Sequence, residues 1–342
     1  MSHIYLKDKN SLFSTDGIAG FKDNIETVLK EIFHHVSYIE GDIPEKKERS
    51  IYFKILREAN RKLDFKFIKK LFNNLQADYQ DRLLDKLNLH YDYFFVVAGR
   101  EFSSSFIQKL RKRNPGIICI LFLWDKFENT SLKFSAHEFD HVFTFDKEDA
   151  EKYNFIFRPS FFIDECSKDS LAWNEREHSI FYVGALRDKK RYETISKIDK
   201  VLQKTSEKES AFIKLFIDKK SQSHLPKNYN INIITHEKMD YFETIEATKK
   251  SKVILDLPHK NQQGLTLRSF ESLATKTKII TTNKDIVNYD FFNSENILII
   301  DEKNIEINTD FFEKPYKEIP HNILKKYSAK GFIKSILSSI EK

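Results

Sequence analysis

The fold class is decided by one stretch of sequence, Gln263-Gly-Leu-Thr-Leu-Arg-Ser-Phe-Glu-Ser-Leu-Ala-Thr-Lys-Thr-Lys-Ile-Ile-Thr-Thr-Asn283. It combines a glycine turn, a helical segment over residues 266–274 and a short apolar strand over residues 278–282. A further apolar segment, residues 252–256, precedes it and is closed by Leu257-Pro258. Strand, glycine loop, helix and strand in this order predict a βαβ unit, whose two strands run parallel in one sheet.

The helix in this stretch begins where parallel sheets usually bind ligands. Helix N-termini at the carboxyl ends of parallel strands offer free N–H groups to phosphate. Arg268 and Glu271 are three residues apart, so they share one face of the predicted helix near its positive end. A cation there can hold a diphosphate, and a carboxylate can accept hydrogen bonds from ribose hydroxyls. An ordinary surface ion pair has the same spacing, but the preceding glycine loop favours a nucleotide-sugar site.

The bulk composition predicts two domains of ordinary size and no membrane span. The 342 residues are 40% hydrophobic and 32% charged, which is typical of a globular chain. The longest apolar run, residues 117–124, is far shorter than the ~20 residues that a spanning helix needs. The first residues lack the basic end and long apolar core of a signal peptide. We therefore expect a cytoplasmic protein.

The cysteine spacing and the net charge limit the kinds of binding site and partner that the sequence favours. Cys119 and Cys166 form neither a CxxC pair nor a zinc-like spacing, which excludes a disulfide framework or a zinc site. The net charge is +6, with basic clusters such as residues 109–113 and 187–191. Solvated helix faces explain such clusters, and so does an anionic partner, either a phosphate-bearing substrate or the inner membrane surface. No nucleic-acid-binding motif occurs, so nucleic acid is not expected as a partner.

Two series of α/β alternation follow one another along the chain. In the first, residues 93–98, 117–123 and 141–145 are continuous apolar segments separated by helical patterns, which predicts a parallel sheet covered on both faces. Shorter strands are predicted at residues 4–6 and 36–39. The second series predicts strands at residues 179–183, 211–217, 231–234, 252–256, 278–282 and 296–300.

This alternation predicts an α/β protein of two Rossmann-like domains that face a central cleft. The N-terminal domain is assigned to residues 1–157 and a linker to residues 158–178. The C-terminal domain is assigned to residues 179–317. The remaining residues, 318–342, are predicted to form a basic, mostly helical segment.

Five segments in order resemble the GT-B-fold glycosyltransferases of bacterial lipopolysaccharide and capsular polysaccharide biosynthesis. The first four are Tyr91-Asp-Tyr-Phe-Phe-Val-Val97, Leu121-Phe-Leu-Trp-Asp125, Phe139-Asp-His-Val-Phe-Thr-Phe-Asp146, and Phe181-Tyr-Val-Gly184 with Arg187 and Arg191. The fifth and most specific is the opening stretch with its Arg268 and Glu271. Together they span roughly residues 91–300, and the first 90 residues match only loosely.

The resemblance implies a donor site in the C-terminal domain and an acceptor site in the N-terminal domain. It implies that the backbone approaches the diphosphate at the glycine loop and that Glu271 binds the ribose. The predicted donor-binding residues are Gly184, Arg187, Gly264, Thr266, Arg268 and Glu271. Gln263 stands where retaining members often have a glutamate, so retention of configuration is not carried over.

Carboxylates in the N-terminal half are the candidates for acid–base chemistry. Asp16, in the first loop, is the predicted general base if the enzyme inverts. Asp125 and Asp146 each follow a buried strand, where α/β proteins place functional groups, although helix capping also explains such a residue. Asp16 and Asp125 are the predicted catalytic residues. Asp146, His259 and Gln263 are predicted to face the cleft.

The chain contains no Asp-x-Asp sequence. GT-A enzymes usually hold a divalent metal with that motif, so here a helix dipole and basic side chains must offset the charge of the leaving diphosphate. We therefore predict a reaction that needs no metal and no cofactor besides the nucleotide-sugar substrate.

The leading hypothesis is transfer of a sugar from a nucleotide-sugar donor to an oligosaccharide or lipid-linked acceptor. The alternatives are a sugar-nucleotide epimerase of the same shape and a nucleotide-sugar-binding protein that has lost catalysis. Since such acceptors are often lipid-linked, reversible attachment to the anionic inner membrane surface is also expected. The basic residues for that attachment are residues 109–113 and the lysines Lys325, Lys326, Lys330 and Lys334.

Overall fold

The computed structural model describes residues 6–15, 20–41, 66–97, 102–205, 210–259 and 262–340. The chain divides into two compact units, one made of Met1–Arg158 with Ile333–Lys342 and the other of Pro159–Phe332. Each unit is built on a six-stranded sheet whose strand pairs are all parallel. The boundaries proposed for the domains, the linker and the C-terminal segment stay predictions.

The first unit alternates strands and helices. Its strands are β1 (Leu6–Thr15), β2 (Phe33–Tyr38), β3 (Tyr93–Val97), β4 (Ile118–Leu123), β5 (His141–Thr144) and β6 (Ile156–Phe157). The described helices are α1 (Phe21–Ile32), α2 (Lys66–Asp85), α3 (Ser104–Arg113) and α4 (Lys147–Tyr153). The strand order is β2-β1-β3-β4-β5-β6.

The core of this unit explains why its central strands are apolar throughout. Every residue of β3 is buried, because helices cover both faces of a parallel sheet. Helix α3 begins where the Ser103 side chain accepts a hydrogen bond from Phe106 N, and it packs Phe106 against the sheet. The ring centroids of Phe94 and Phe106 are 6.1 Å apart. The apolar segments predicted around residues 93–98 and 117–123 are thus confirmed as central strands.

The second unit repeats the alternation with a different strand order. Its strands are β7 (His178–Ala185), β8 (Phe212–Phe216), β9 (Ile234–Thr235), β10 (Ser251–Asp256), β11 (Lys278–Thr281) and β12 (Ile297–Ile299). Its first helices are α5 (Lys189–Leu202), α6 (Tyr241–Lys249), α7 (Leu267–Ala274) and α8 (Asp310–Glu313). The order is β12-β11-β10-β7-β8-β9.

The stretch that decided the fold class forms the predicted βαβ unit, β10–α7–β11. Strand β10 pairs with β11 in parallel, with Val253 opposite Lys278 and Asp256 opposite Thr281. Two further helices, α9 (His321–Lys326) and α10 (Ala329–Ile340), follow in the predicted helical region at the end of the chain. Within the described ranges, no helix is both long enough and apolar enough to cross a membrane.

Two predicted strands differ from the structure. Residues 231–234 were predicted as a strand, but Ile231–Ile233 forms a 3-10 turn and only Ile234–Thr235 pairs in the sheet. The Asn230 side chain accepts a hydrogen bond from Asn232 N, which favours the turn, and Ile231 is 70% exposed. Of the predicted strand at residues 4–6, only Leu6 lies within the described residues; it begins β1, which runs to Thr15 despite its polar first half.

Candidate functional site

The carboxyl ends of β7, β10, β11 and β12 meet at one edge of the second sheet. Strands β7 and β10 are neighbours in the sheet, although β8 and β9 lie between them in sequence. From β7 the chain continues to one side of the sheet through β8 and β9, and from β10 it continues to the other side through β11 and β12. Parallel sheets commonly bind ligands in the crevice at such a switch point. This edge therefore has the topology of a ligand-binding site.

A cavity of about 640 Å³ opens at this edge. Its volume lies within the range of small-molecule sites, about 300–1,000 Å³. The walls come from the first turn of α5 and from the loops after β10, β11 and β12. They include Arg191, His259, Gln263, Asn283, Lys284 and Asp301.

A buried carboxylate, Asp256, ends β10 beside the start of α7. Its oxygens accept hydrogen bonds from the hydroxyls of Thr266 at 2.9 Å, Thr281 at 3.4 Å and Ser269 at 3.5 Å. Burial raises the pKa of Asp256, while the charges of nearby arginines and the hydroxyl hydrogen bonds oppose that rise. The carboxylate thus joins β10, β11 and α7 and supplies a negative counter-charge at the switch point.

Two arginines flank Tyr182 of β7 close to that carboxylate. Arg191 donates to Leu257 O at 3.0 Å and to Tyr182 Oη at 3.5 Å. Arg268 donates to Val183 O, and its guanidinium carbon lies 5.1 Å from the centroid of the Tyr182 ring. A guanidinium has five N–H groups. Both side chains therefore keep N–H groups that make no hydrogen bond with the described part of the chain and can bind an anion.

The position of the Tyr182 ring leaves room only for a glycine at residue 184. A Cβ atom at residue 184 would lie 2.4 Å from Tyr182 Oη and 2.7 Å from Tyr182 Cζ. Since Tyr182 is buried and touches both arginines, a larger residue at 184 would displace the ring and its two cationic neighbours. The glycine is therefore required by side-chain packing at the end of β7.

The glycine loop before α7 is tied to the loop after β11. Asn283 donates from Nδ2 to Gln263 O at 2.9 Å, and its Oδ1 accepts from Asp285 N at 2.9 Å. The buried Gly264 follows Gln263 in this loop. Thr266 is the N-cap residue of α7, yet no side chain caps the helix. The first turn of α7 therefore presents N–H groups of the kind that bind phosphate.

Glu271 lies one turn into α7 and is only 5% exposed. It is hydrogen-bonded to Tyr241 of α6, and Arg268 supplies a favourable charge. Burial outweighs these effects and raises the pKa of Glu271 to about 7. The structure thus brings Arg268, Glu271, Thr266 and Gly264 together at the start of α7. Their donor-binding roles stay predictions.

Three other predicted residues lie nearby. His259 and Gln263 are exposed and line the cavity. Arg187 is exposed in the loop between β7 and α5, and it forms no hydrogen bond or ion pair with the described part of the chain. These side chains are accessible to a ligand, and their roles likewise stay predictions.

The predicted carboxylates of the first unit have different surroundings. Asp146 is fully buried and begins α4, accepting hydrogen bonds from Glu148 N at 3.1 Å and Asp149 N at 3.2 Å. Lys126 Nζ lies 3.6 Å from the same carboxylate, so capping and an ion pair account for this residue structurally. Asp125 is exposed directly after β4. Asp16 lies outside the described residues.

Among the described residues, no group of three or more His, Cys, Asp or Glu side chains is arranged to hold a metal ion. The proposed metal independence stays a prediction, because only an assay can test it.

Three residues of this edge were not predicted as site residues: Asp256, Arg191 and Tyr182, although Arg191 and Tyr182 both belong to one of the segments that carry the resemblance. A polar residue that closes an apolar strand was a usable signal for Asp256. Arg191 lies in the first turn of α5, four positions after Arg187, and this spacing of two arginines was visible in the sequence. Nothing in the sequence showed that Tyr182 would touch both arginines, because Arg268 lies 85 positions from its hydrogen-bond partner Val183.

Comparisons with known proteins agree with this architecture. No protein-family model and no curated protein sequence matches the chain. An α-glucosyltransferase in complex with UDP and a 13-mer DNA matches with a TM-score of 0.60 at 13% identity, covering 97% of this chain and 99% of that one. A UDP-forming α,α-trehalose-phosphate synthase from Burkholderia xenovorans matches with a TM-score of 0.61 at 10% identity, covering 98% and 100%.

The N-terminal domain of a trehalose-6-phosphate phosphatase from Candida albicans matches with a TM-score of 0.61 at 9% identity, covering 97% of this chain and 96% of that one. Similarity at these identities establishes the fold. The chain has the GT-B fold of two Rossmann-like domains, which confirms the predicted fold class.

Proposed function

We propose that this chain is a glycosyltransferase whose nucleotide-sugar donor binds at the carboxyl edge of the second sheet. The observation that carries the proposal is the cavity lined by Arg191, with the Arg268 guanidinium against the same Tyr182 side chain that Arg191 contacts, in a chain with the GT-B fold. Among the similar structures, one is in complex with UDP and another is described as UDP-forming, which supports a uridine diphosphate sugar as the first donor to test.

In the proposed reaction, an acceptor hydroxyl attacks the anomeric carbon of the donor sugar. The bond between that carbon and the diphosphate oxygen breaks, and the hydroxyl proton passes to a carboxylate, for which Asp16 and Asp125 are the candidates. Negative charge develops on the departing diphosphate. Arg191, Arg268 and the uncapped N-terminus of α7 would stabilise that charge, so the proposed reaction is metal-independent.

The proposed acceptor is an oligosaccharide or a lipid-linked sugar in cell-surface polysaccharide synthesis. A lipid-linked acceptor calls for contact with the inner membrane surface. In the patch at residues 109–113, each of three cations faces an aspartate, at 2.6 Å for Lys109–Asp81 and Arg113–Asp85 and at 2.8 Å for Arg111–Asp140. Near the end of the chain, Lys326 is paired in the same way, with Asp290 at 2.5 Å, so both basic groups remain candidates for the proposed attachment.

A thermal-shift screen against UDP, GDP and CMP tests the donor site. A ligand at a hundred times its dissociation constant should stabilise the fold by about 2.7 kcal/mol. We expect UDP to stabilise the protein most. A flat response to all three nucleotides would contradict the proposed site.

Product analysis tests the reaction. Incubation with UDP-sugars and candidate acceptors, in the presence of EDTA, should yield a new glycosidic bond detectable by mass spectrometry. An epimerised sugar formed without acceptor would indicate the epimerase alternative. Nucleotide binding with no product from any acceptor would favour a protein that has lost catalysis. A strict requirement for a divalent metal would contradict the proposed metal independence.

A further inference from the structure

Three elements of the second unit bring a thiol, a phenol and a carboxylate into one buried row. Cys166 lies in the 3-10 turn Asp164–Ser167, Tyr241 opens α6, and Glu271 lies on α7. Cys166 Sγ is 3.5 Å from Tyr241 Oη, and the Tyr241 hydroxyl is hydrogen-bonded to the Glu271 carboxyl group.

The chemistry of the three groups decides which of them donates and which accepts in each hydrogen bond. When Glu271 is ionised, its carboxylate can only accept hydrogen bonds, so the Tyr241 O–H then donates to it. The Tyr241 oxygen then keeps its lone pairs for the Cys166 S–H, which is a weak donor. Burial raises the pKa of Cys166 to about 12, so the thiol retains its proton at neutral pH.

The remaining charged groups around Glu271 come from two elements. Arg268, on the same helix, favours the ionised carboxylate, and Asp256 at the end of β10 disfavours it. Next to Cys166, the ammonium of Lys249 contributes a positive charge. Burial opposes ionisation of Glu271, and Arg268 and the Tyr241 hydroxyl are the two groups that support it.

We infer that Tyr241, supported by Cys166, is a positioning residue of the donor site, which holds the Glu271 carboxylate ionised and oriented to accept the ribose hydroxyls of a nucleotide. This inference rests on the proposed donor site and adds residues from α6 and from the turn at Asp164–Ser167. Tyr241 supplies one hydrogen bond to the carboxylate, and a carboxylate has about four lone-pair sites, so it keeps acceptor capacity for a ligand. Charge-assisted hydrogen bonds of this kind are stronger than neutral ones, so the ionised form should bind ribose better.

The test compares UDP binding by the wild-type protein and by Tyr241→Phe from pH 6 to pH 8. At pH 7 the variant should bind UDP roughly tenfold to a hundredfold more weakly, as expected for the loss of one hydrogen bond to a charged group. The pH at which half of the affinity is lost should move upwards. With 2′-deoxy-UDP as the probe, the loss should be smaller, because one ribose hydroxyl is missing.

Matched controls separate this role from a structural one. Tyr327→Phe removes a comparable tyrosine–carboxylate bond, from Tyr327 Oη to Asp290 Oδ1 at 2.6 Å, and should leave UDP binding unchanged. Glu271→Gln reports the pH dependence that comes from UDP itself. Cys166→Ala should give a smaller loss than Tyr241→Phe, and Cys166→Ser should restore binding.

A ligand-free measurement completes the test. Carbon-13 NMR of the Glu271 carboxyl group should show a higher pKa in Tyr241→Phe than in the wild-type protein. An unchanged pKa, or equal UDP affinities of wild type and Tyr241→Phe at every pH, would overturn the inference alone. If the wild-type protein does not bind UDP at all, the proposed donor site fails and the inference fails with it.

Discussion

The two edges of the second sheet both carry cationic side chains, but the cations have different partners. At the amino edge, the buried Arg176 donates to Ser251 O at 2.6 Å and Thr275 O at 2.9 Å, among further oxygens of the chain. At the carboxyl edge, Arg191 and Arg268 make few hydrogen bonds with the described part of the chain, and Arg191 lines a cavity. Burial of a cation therefore does not by itself mark a functional site.

Lys278 extends the comparison at the amino edge. Its ammonium donates to Phe311 O at 2.9 Å and lies 5.2 Å from the Trp173 ring centroid and 4.7 Å from that of Phe311. Carbonyl oxygens and aromatic faces thus stabilise cations that hold strands together. What distinguishes the carboxyl edge is the number of donors left over, together with space for a ligand.

The largest expected effect is on stability, at the amino edge. Arg176→Met removes the guanidinium and leaves several buried oxygens without partners, which should lower the free energy of unfolding by about 3–4 kcal/mol. UDP affinity at a temperature where the variant is folded should not change. Denaturant unfolding and calorimetry measure the two quantities. A large loss of UDP affinity in the folded variant would break the distinction between the edges.

At the carboxyl edge, Glu271→Gln should instead weaken UDP binding without lowering the stability at pH 8. Loss of a charge-assisted bond to ribose should weaken UDP binding by about 1.5–3 kcal/mol, roughly tenfold to a hundredfold. Burial raises the pKa of Glu271 from 4.5 to about 7, so the folded state holds a proton that the unfolded state has lost between these pH values. The stability contribution of Glu271 is therefore present below pH 4.5 and is lost as the pH rises to 7.

The neutral glutamine avoids this loss. Glu271→Gln should therefore be at least as stable as the wild-type protein at pH 8, as measured by thermal unfolding, while it binds UDP less well. Unchanged UDP affinity would remove Glu271 from the site.

Gly184→Ala should have a smaller effect, which lowers both the stability of the fold and the affinity for UDP. The added Cβ meets Tyr182 Oη at 2.4 Å, and overpacking of this kind typically costs about 1–3 kcal/mol. Because Tyr182 touches Arg191 and Arg268, UDP affinity should fall as well. Tyr182→Phe in the same background removes the clashing hydroxyl and should restore part of the stability. If the double variant is no more stable than Gly184→Ala, the packing argument is wrong.

A fourth expected effect is a pH dependence of the stability at the amino edge. Burial lowers the pKa of Lys278 from 10.5 to about 8, so the unfolded state holds a proton that the folded state has lost between these values. Wild-type stability should therefore rise across this window relative to Lys278→Met. Denaturant unfolding of both proteins at pH 7.5 and pH 10 measures the difference. Parallel changes in the two proteins would mean that Lys278 keeps its proton.

Much of the fold could be predicted because its signals are local. The apolar run before Asp256 and the helical spacing after Gly264 identify β10 and α7 without any tertiary information. The strand predicted at residues 4–6 overlaps β1 only at Leu6. The first half of β1, Lys7-Asp-Lys-Asn10, is polar, and its pairing with β2 and β3 became visible only in three dimensions.

The candidate site was predictable only in part, because only some of its residues are close together in the sequence. Arg268 and Glu271 have helical spacing within one segment, so their shared face was visible. Tyr241 lies 30 positions before Glu271, and Cys166 lies 75 positions before Tyr241, so only folding brings these residues together. Residues that position a site from neighbouring elements leave no periodic signal in the sequence.

Isothermal titration with UDP tests the central claim most directly. Three proteins are compared: the wild type, Arg176→Met, and the double variant Arg191→Ala with Arg268→Ala. We predict that the wild type and Arg176→Met bind one UDP per chain with similar affinity, while the double variant shows at least a hundredfold loss, on the order of two lost charge-assisted contacts. Equal binding by the double variant, or no binding by the wild type, would contradict a nucleotide-sugar site at the carboxyl edge.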